Sequence, residues 1–210
     1  MSGATAPGDG PGPPPLPPAD LHARRLPIHT VERDWRFWRI HPADLSPLFF
    51  GPAKGLPPRG RWDAPDGAFR VCYLAEHSFA AFAECFLREP ATILLQTEDL
   101  QARALTRVHV GSPLRLVTMH GHGLHAVGAT AASCMGDYAI SRAWAAALHG
   151  HPEAPDGIRY RARHDDDGFA IALFDRAKRK VKDGESAPLT DPSNVGYLAE
   201  CLDRYGMGLL

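Results

Sequence analysis

The spacing of apolar residues changes along this chain, and each change of period marks an element. Residues 35–41 alternate as a strand. The clearest strand spans 69–75, with Phe69, Val71 and Tyr73 on one face. His77 or Ser78 then caps a helix running through Arg88, whose apolar stripe is Phe79, Phe82, Ala83, Phe86 and Leu87. Glu84 lies well off the centre of that stripe. Strands follow over 103–110 and 114–118, and a short helix after His122. A strong helix covers 137–150, with Ile140, Ala143, Trp144, Ala147 and Leu148 toward the core, Ser141 at the border and Arg142 facing away. Residues 157–163 alternate again, and 169–174 form a nearly continuous apolar run suited to a buried strand. Residues 178–188 read as a charged loop. A last helix spans 191–205, capped by Asp191 with Pro192 at its first position.

Strands and helices mix without a regular βαβ repeat, and no glycine-rich dinucleotide or P-loop motif follows a strand. The pattern predicts an α+β domain, a mixed sheet with flanking helices. Two stretches fall outside it. Residues 1–20 are rich in Pro and Gly with almost no large apolar group, which predicts a disordered or polyproline-type tail ahead of a domain over 21–210. Residues 42–67 form a long proline- and glycine-rich loop that carries Arg61.

Composition narrows the functional classes. A chain of 210 residues is enough for one domain with a core that needs no staples. A formal net charge of −1 offers no broad basic surface to nucleic acid. The four cysteines make no CxxC pair and sit in apolar settings, as reduced thiols do. With no spanning run and no signal-type core, a cytoplasmic protein away from membranes is expected. Eleven histidines raise the question of metal. Their densest group, His120, His122 and His125, lies among glycines with no carboxylate nearby, so no metal site is expected.

The arginines point elsewhere. Arg39 ends the first strand in WRIH, and Arg61 stands in RGRWD, where glycine lets the backbone approach a ligand. Guanidinium groups grip phosphate bidentately. Tyr73 adds a flat face and a hydroxyl, Glu84 a carboxylate, and Ser141 a hydroxyl for ribose or amide. Arg39, Arg61, Tyr73 and Glu84, set on a strand end, a loop, a strand and the next helix, are expected to line one cleft. Arg159, Arg161 and Arg163 share a strand face and are expected to pair with Asp165–Asp167, with contact to an acidic partner as the alternative.

These segments, in this order, resemble the RES-domain family. The likeness runs over about 35–175 and includes WRIH, Gly60–Trp62, YLA at 73–75, AAFAE ending at Glu84, GDYAISRAWAAALH, DGIRYRARHD and ALFDRA. The resemblance implies an ADP-ribosyltransferase-like fold and a toxin that consumes NAD+, held inactive by a cognate antitoxin with an Xre-like or related helical region. It assigns the family arginine to Arg39, the GRW arginine to Arg61, the tyrosine to Tyr73 and the glutamate to Glu84. The serine falls on Ser141, or on Ala139 if the segment is shifted by two. Where many relatives carry a serine, this chain has Ala162. Glu84, Arg39 and Ser141 are then the expected catalytic residues, and Arg39, Arg61, Tyr73 and Ser141 the substrate-binding ones. NAD+ is the expected substrate, without a further cofactor, and inorganic phosphate is a co-substrate if the bond is cleaved by phosphorolysis. Water as acceptor gives hydrolysis, and a protein side chain gives ADP-ribosylation. A non-catalytic interaction module that keeps the fold is the remaining alternative, and self-association into a homo-oligomer stays open.

Overall fold

The computed structural model describes residues 12–53, 55–88 and 93–210. In chain order the elements are β1 (Ile28–Val31), β2 (Arg36–Pro42), β3 (Val71–Ala75), α1 (Ser78–Phe86), β4 (Leu94–Leu95), α2 (Thr97–Gln101), β5 (Arg103–Val110) and β6 (Leu114–Met119). Then come α3 (His122–Val127), α4 (Ala131–Met135), α5 (Tyr138–His149), β7 (Gly157–Ala162), β8 (Asp165–Phe174), β9 (Val181–Pro188), α6 (Val195–Tyr205) and β10 (Gly208–Leu209). Eight strands form one sheet in the order β1-β6-β7-β8-β3-β2-β5-β9; β4 and β10 pair separately. Only β6 and β7 run parallel within the large sheet. The architecture is the mixed α+β sheet with flanking helices that the pattern predicts.

Period-2 alternation splits the core between the two sheet faces. Val71 and Ala75 of β3 join Ile158, Tyr160 and Ala162 of β7 under α5, whose Trp144, Ala145 and Leu148 are fully buried. Cys72 and Leu74 point the other way, with Phe37, Val108 and Ile171. A third cluster, around Phe82, Leu100, Leu105 and Cys201, packs α6 against α1. No helix among the described residues is long and apolar enough to cross a membrane.

One seam in the sheet is short. β2 and β5 pair over seven positions, Arg36 through Pro42. β2 and β3 share a single paired position, Trp38 with Ala75, and then part.

Three expectations are corrected. Residues 181–188 are not a loop but edge strand β9, paired on one side with β5. Its side chains are mostly exposed, so no apolar alternation betrays it. The last helix begins with a 3-10 turn, Pro192–Asn194, before α6; Asp191 caps it by accepting from the Ser193 N–H at 2.9 Å. Of the expected tail, residues 1–11 lie outside the described residues. Residues 12–18 carry no regular structure yet are held: the Pro15 carbonyl accepts from Trp144 Nε1 at 2.9 Å and Ser133 Oγ at 3.3 Å. A buried indole N–H and a buried hydroxyl each need an acceptor, and the proline run supplies one for both.

Candidate active site

Where β2 and β3 part, a cleft of about 580 Å3 opens. Its walls include Arg39 from β2, Arg61 from the 42–67 loop, Tyr73 from β3 and Glu84 from α1, so these four expected residues border one cavity. Arg59, Arg88, Arg103, Arg161 and Arg163 also line it. Among the described residues the lining holds one carboxylate, that of Glu84. Such a cleft focuses positive potential and favours a polyanionic ligand.

Arg61 is 7% exposed. Its Nη1 donates to the Gly136 carbonyl at 2.8 Å and the Ser141 hydroxyl at 3.4 Å. The guanidinium lies 4.5 Å over the Tyr138 ring. Its Nη2 is buried with no hydrogen-bond partner among the described residues, and so is the neighbouring Trp62 Nε1. Leaving a charged donor buried and unpaired is costly unless a ligand completes it.

The loop that presents Arg61 is organised by Asp63, 2% exposed. Its carboxylate accepts from the N–H groups of Arg59 (2.8 Å) and Gly60 (2.6 Å) and from the Tyr73 hydroxyl (2.8 Å). The Tyr73 oxygen accepts in turn from the Trp62 N–H at 2.9 Å. That hydroxyl is therefore committed to the loop, and burial, then Asp63, push the phenol well above its usual pKa. What Tyr73 offers the cleft is its ring. A Cβ on Gly60 would strike the Tyr73 hydroxyl and ring, so RGRWD needs glycine there for close approach. Arg142 does not face away as expected: its guanidinium reaches the carbonyls of Gly60 (3.0 Å) and Pro58 (3.2 Å) and clamps the loop.

Glu84 projects from α1 and accepts the Arg163 backbone N–H at 2.6 Å, which fixes the carboxylate against the end of β7. Tyr160 lies beside it, 5% exposed, its phenol pushed well up by burial and then by Glu84, with Arg61 opposing. Burial lowers the pKa of His164 on the same wall. Arg39 borders the cleft but turns its guanidinium to the Phe49 carbonyl at 3.0 Å and to the Cys72 thiol, on the sheet face away from Tyr73.

Ser141 is not on the cleft wall. It is fully buried, donates to the Ser133 carbonyl at 2.9 Å, and stands behind Arg61. Its place is one of support rather than ligand contact. Sequence reasoning passed over Asp63, Tyr138 and Tyr160. Asp63 had a signal, a short acid three residues after the glycine whose N–H it accepts; the two tyrosines reach the cleft only through the tertiary fold.

The β7 arginines divide. Arg159 does not pair with Asp165–Asp167 but with Glu76, at 2.6 and 3.0 Å. Arg161 donates to the Asp166 backbone carbonyl at 2.7 Å rather than to a carboxylate.

The family model described as the RES domain matches residues 36–191. A protein from Sinorhizobium fredii named probable toxin y4kH is 30% identical over 113 residues, which are 53% of this chain and 87% of that protein. The fold is similar, with a TM-score of 0.62, to a chain in the crystal structure of the M. tuberculosis MbcT-MbcA toxin-antitoxin complex. That match is 20% identical and covers 81% of this chain and 92% of the other.

Proposed function

This chain belongs to the RES domain family, and from that premise we propose that it is a toxin that cleaves the bond between nicotinamide and ribose in NAD+, in the cytoplasm, under the control of a cognate antitoxin. The observation that carries the reading is one juxtaposition: Arg61, a buried arginine whose Nη2 has no hydrogen-bond partner among the described residues, and Glu84 line the same arginine-rich cleft.

Each part has a chemical use. The Arg61 donor, with the cleft arginines around it, holds the pyrophosphate. Arg39, expected among them, is held on the other sheet face by the Phe49 carbonyl and the Cys72 thiol, so its place is in anchoring β2 at the cleft's edge rather than in gripping the ligand. The Tyr73 ring packs against the nicotinamide, with Tyr138 and Tyr160 nearby. When the glycosidic bond breaks, its electron pair leaves on the nicotinamide nitrogen, and the pyridinium charge is discharged. Positive charge then develops on the ribose, and Glu84 stabilises it. The nicotinamide is a good leaving group, so no strong general acid is required. Water, or inorganic phosphate, adds at the anomeric carbon; water gives its proton to solvent. The partner reading draws on the relatives, one named a probable toxin and one solved in a toxin-antitoxin complex.

Purified protein incubated with NAD+ should release free nicotinamide. Chromatography of the products with and without phosphate separates ADP-ribose from its phosphorylated form. Label transferred to added protein would instead indicate ADP-ribosylation. No nicotinamide above the enzyme-free control would refute the reading.

A further inference from the structure

The cleft arginine is held by a chain of contacts that ends far from the catalytic block. Arg61 rests on the Gly136 carbonyl and the Ser141 hydroxyl. Ser141 rests on the Ser133 carbonyl at 2.9 Å. Ser133 and Gly136 both belong to the short segment of α4 and the residue after it, and Ser133 caps α4 by accepting the Thr130 N–H. Its hydroxyl then donates to the Pro15 carbonyl at 3.3 Å, and the same carbonyl takes the Trp144 indole of α5. Ser133, Ser141 and Trp144 are all 0% exposed, so this is an interior path from the strap to the cleft.

We infer that residues 12–18 are a positioning strap for the anion-binding arginine, locking α4 against α5 so that the Gly136 carbonyl and Ser141 hydroxyl hold Arg61 in place on the cleft wall. This rests on the reading that Arg61 binds the pyrophosphate of NAD+. A helix of five residues cannot hold its own geometry. α4 therefore depends on what it touches: α5 beneath and the Pro15 carbonyl outside. The composition suits the task. Three prolines at 13–15 and two at 17–18 restrict the backbone before docking, so little entropy is lost when the strap lies down. The run that looks like a solvated tail is thereby part of the site.

The probe is inorganic pyrophosphate, titrated calorimetrically into the full chain. Two variants leave the cleft lining intact: Ser133→Ala, which cuts the hydroxyl link, and Pro14→Gly/Pro15→Gly/Pro17→Gly, which keeps the Pro15-position carbonyl but frees the strap. Both should weaken pyrophosphate binding by roughly tenfold, the scale of one misaligned charge-assisted hydrogen bond, with stoichiometry near wild type. A fall in stoichiometry or thermal midpoint with unchanged affinity in the folded fraction would mean that the strap only stabilises the fold, and would overturn the inference. Nicotinamide release by the wild type is measured alongside. Release and pyrophosphate binding by the wild type with undiminished affinity in both variants sinks the strap alone; a wild type that releases nicotinamide without binding pyrophosphate sinks the Arg61 anion role and the strap with it; and no nicotinamide release sinks the proposed activity.

Discussion

Two arginines of this domain, Arg61 in the 42–67 loop and Arg159 on β7, are comparably enclosed and differently finished. Arg159 is clamped bidentately by Glu76 at 2.6 and 3.0 Å, donates to His120 Nε2 at 2.6 Å, and lies 3.5 Å over the Phe169 ring. Its charge has an acid and its face has an aromatic. Among the described residues Arg61 has a carbonyl, a hydroxyl and a ring, no carboxylate, and one buried nitrogen without a hydrogen-bond partner. The first is a closed structural cluster. The second is open, and an open buried charge is tolerated where a ligand closes it. Type and burial would rank the two together; the count of answered donors separates them.

The comparison can be broken from either side. The largest effect is expected at the carboxylate opposite Arg61. Glu84→Gln should keep the fold, because Glu84 is off the apolar stripe, and should slow nicotinamide release by roughly two orders of magnitude or more. A folded variant that releases nicotinamide at the wild-type rate would remove Glu84 from the mechanism. On the closed side, Arg159→Gln leaves Glu76 without its cation in a mostly buried place. It should cost about 2–3 kcal/mol in denaturant unfolding, less than a fully buried pair because the side chains are 13% and 9% exposed. Pyrophosphate affinity should not move.

Smaller effects sharpen the picture. Gly60→Ala must push the Tyr73 hydroxyl away from Asp63. It should cost about 1–2 kcal/mol and weaken anion binding together, through the loop that carries Arg61. His120 supplies the pH dependence. In the folded protein its pKa is lowered to about 4, first by burial and then by Arg159 and Arg161. The unfolded chain takes up that proton near its ordinary value of 6.5. Stability from this group is thus full above 6.5 and is lost as pH falls toward 4. Between pH 7 and 4.5 the wild type should lose about 1 kcal/mol more than His120→Gln, a figure discounted for partial exposure.

Much of this was legible in the chain. β5 occupies the span its alternation marks, and α5 runs between the Asp137 cap and Gly150 as its stripe requires. The cleft residues Arg61, Tyr73 and Glu84 follow from local chemistry: a glycine loop, a strand tyrosine, an off-stripe acid. What stayed hidden depends on distant pairing. β9 has no apolar period because side chains on both of its faces are largely exposed, so only its pairing with β5 reveals it. Glu76 meets Arg159 because β3 and β7 flank β8, which no spacing announces. Arg142 looks solvated on a helical wheel, yet the 58–60 loop folds over it. The proline segment reads as free tail because its one decisive group is a main-chain carbonyl, invisible to composition.

The central claim is that the open donor of Arg61 makes this cleft the NAD+ site. The most direct test titrates NAD+ calorimetrically into folded Glu84→Gln, which binds without consuming it. One NAD+ per chain should bind. Adding Arg61→Gln should weaken that binding by about tenfold or more, with unfolding free energy unchanged or raised because an unpaired buried charge is gone; adding Arg159→Gln should lower stability and leave affinity alone. NAD+ affinity indifferent to Arg61, or lost with Arg159 instead, would contradict the account.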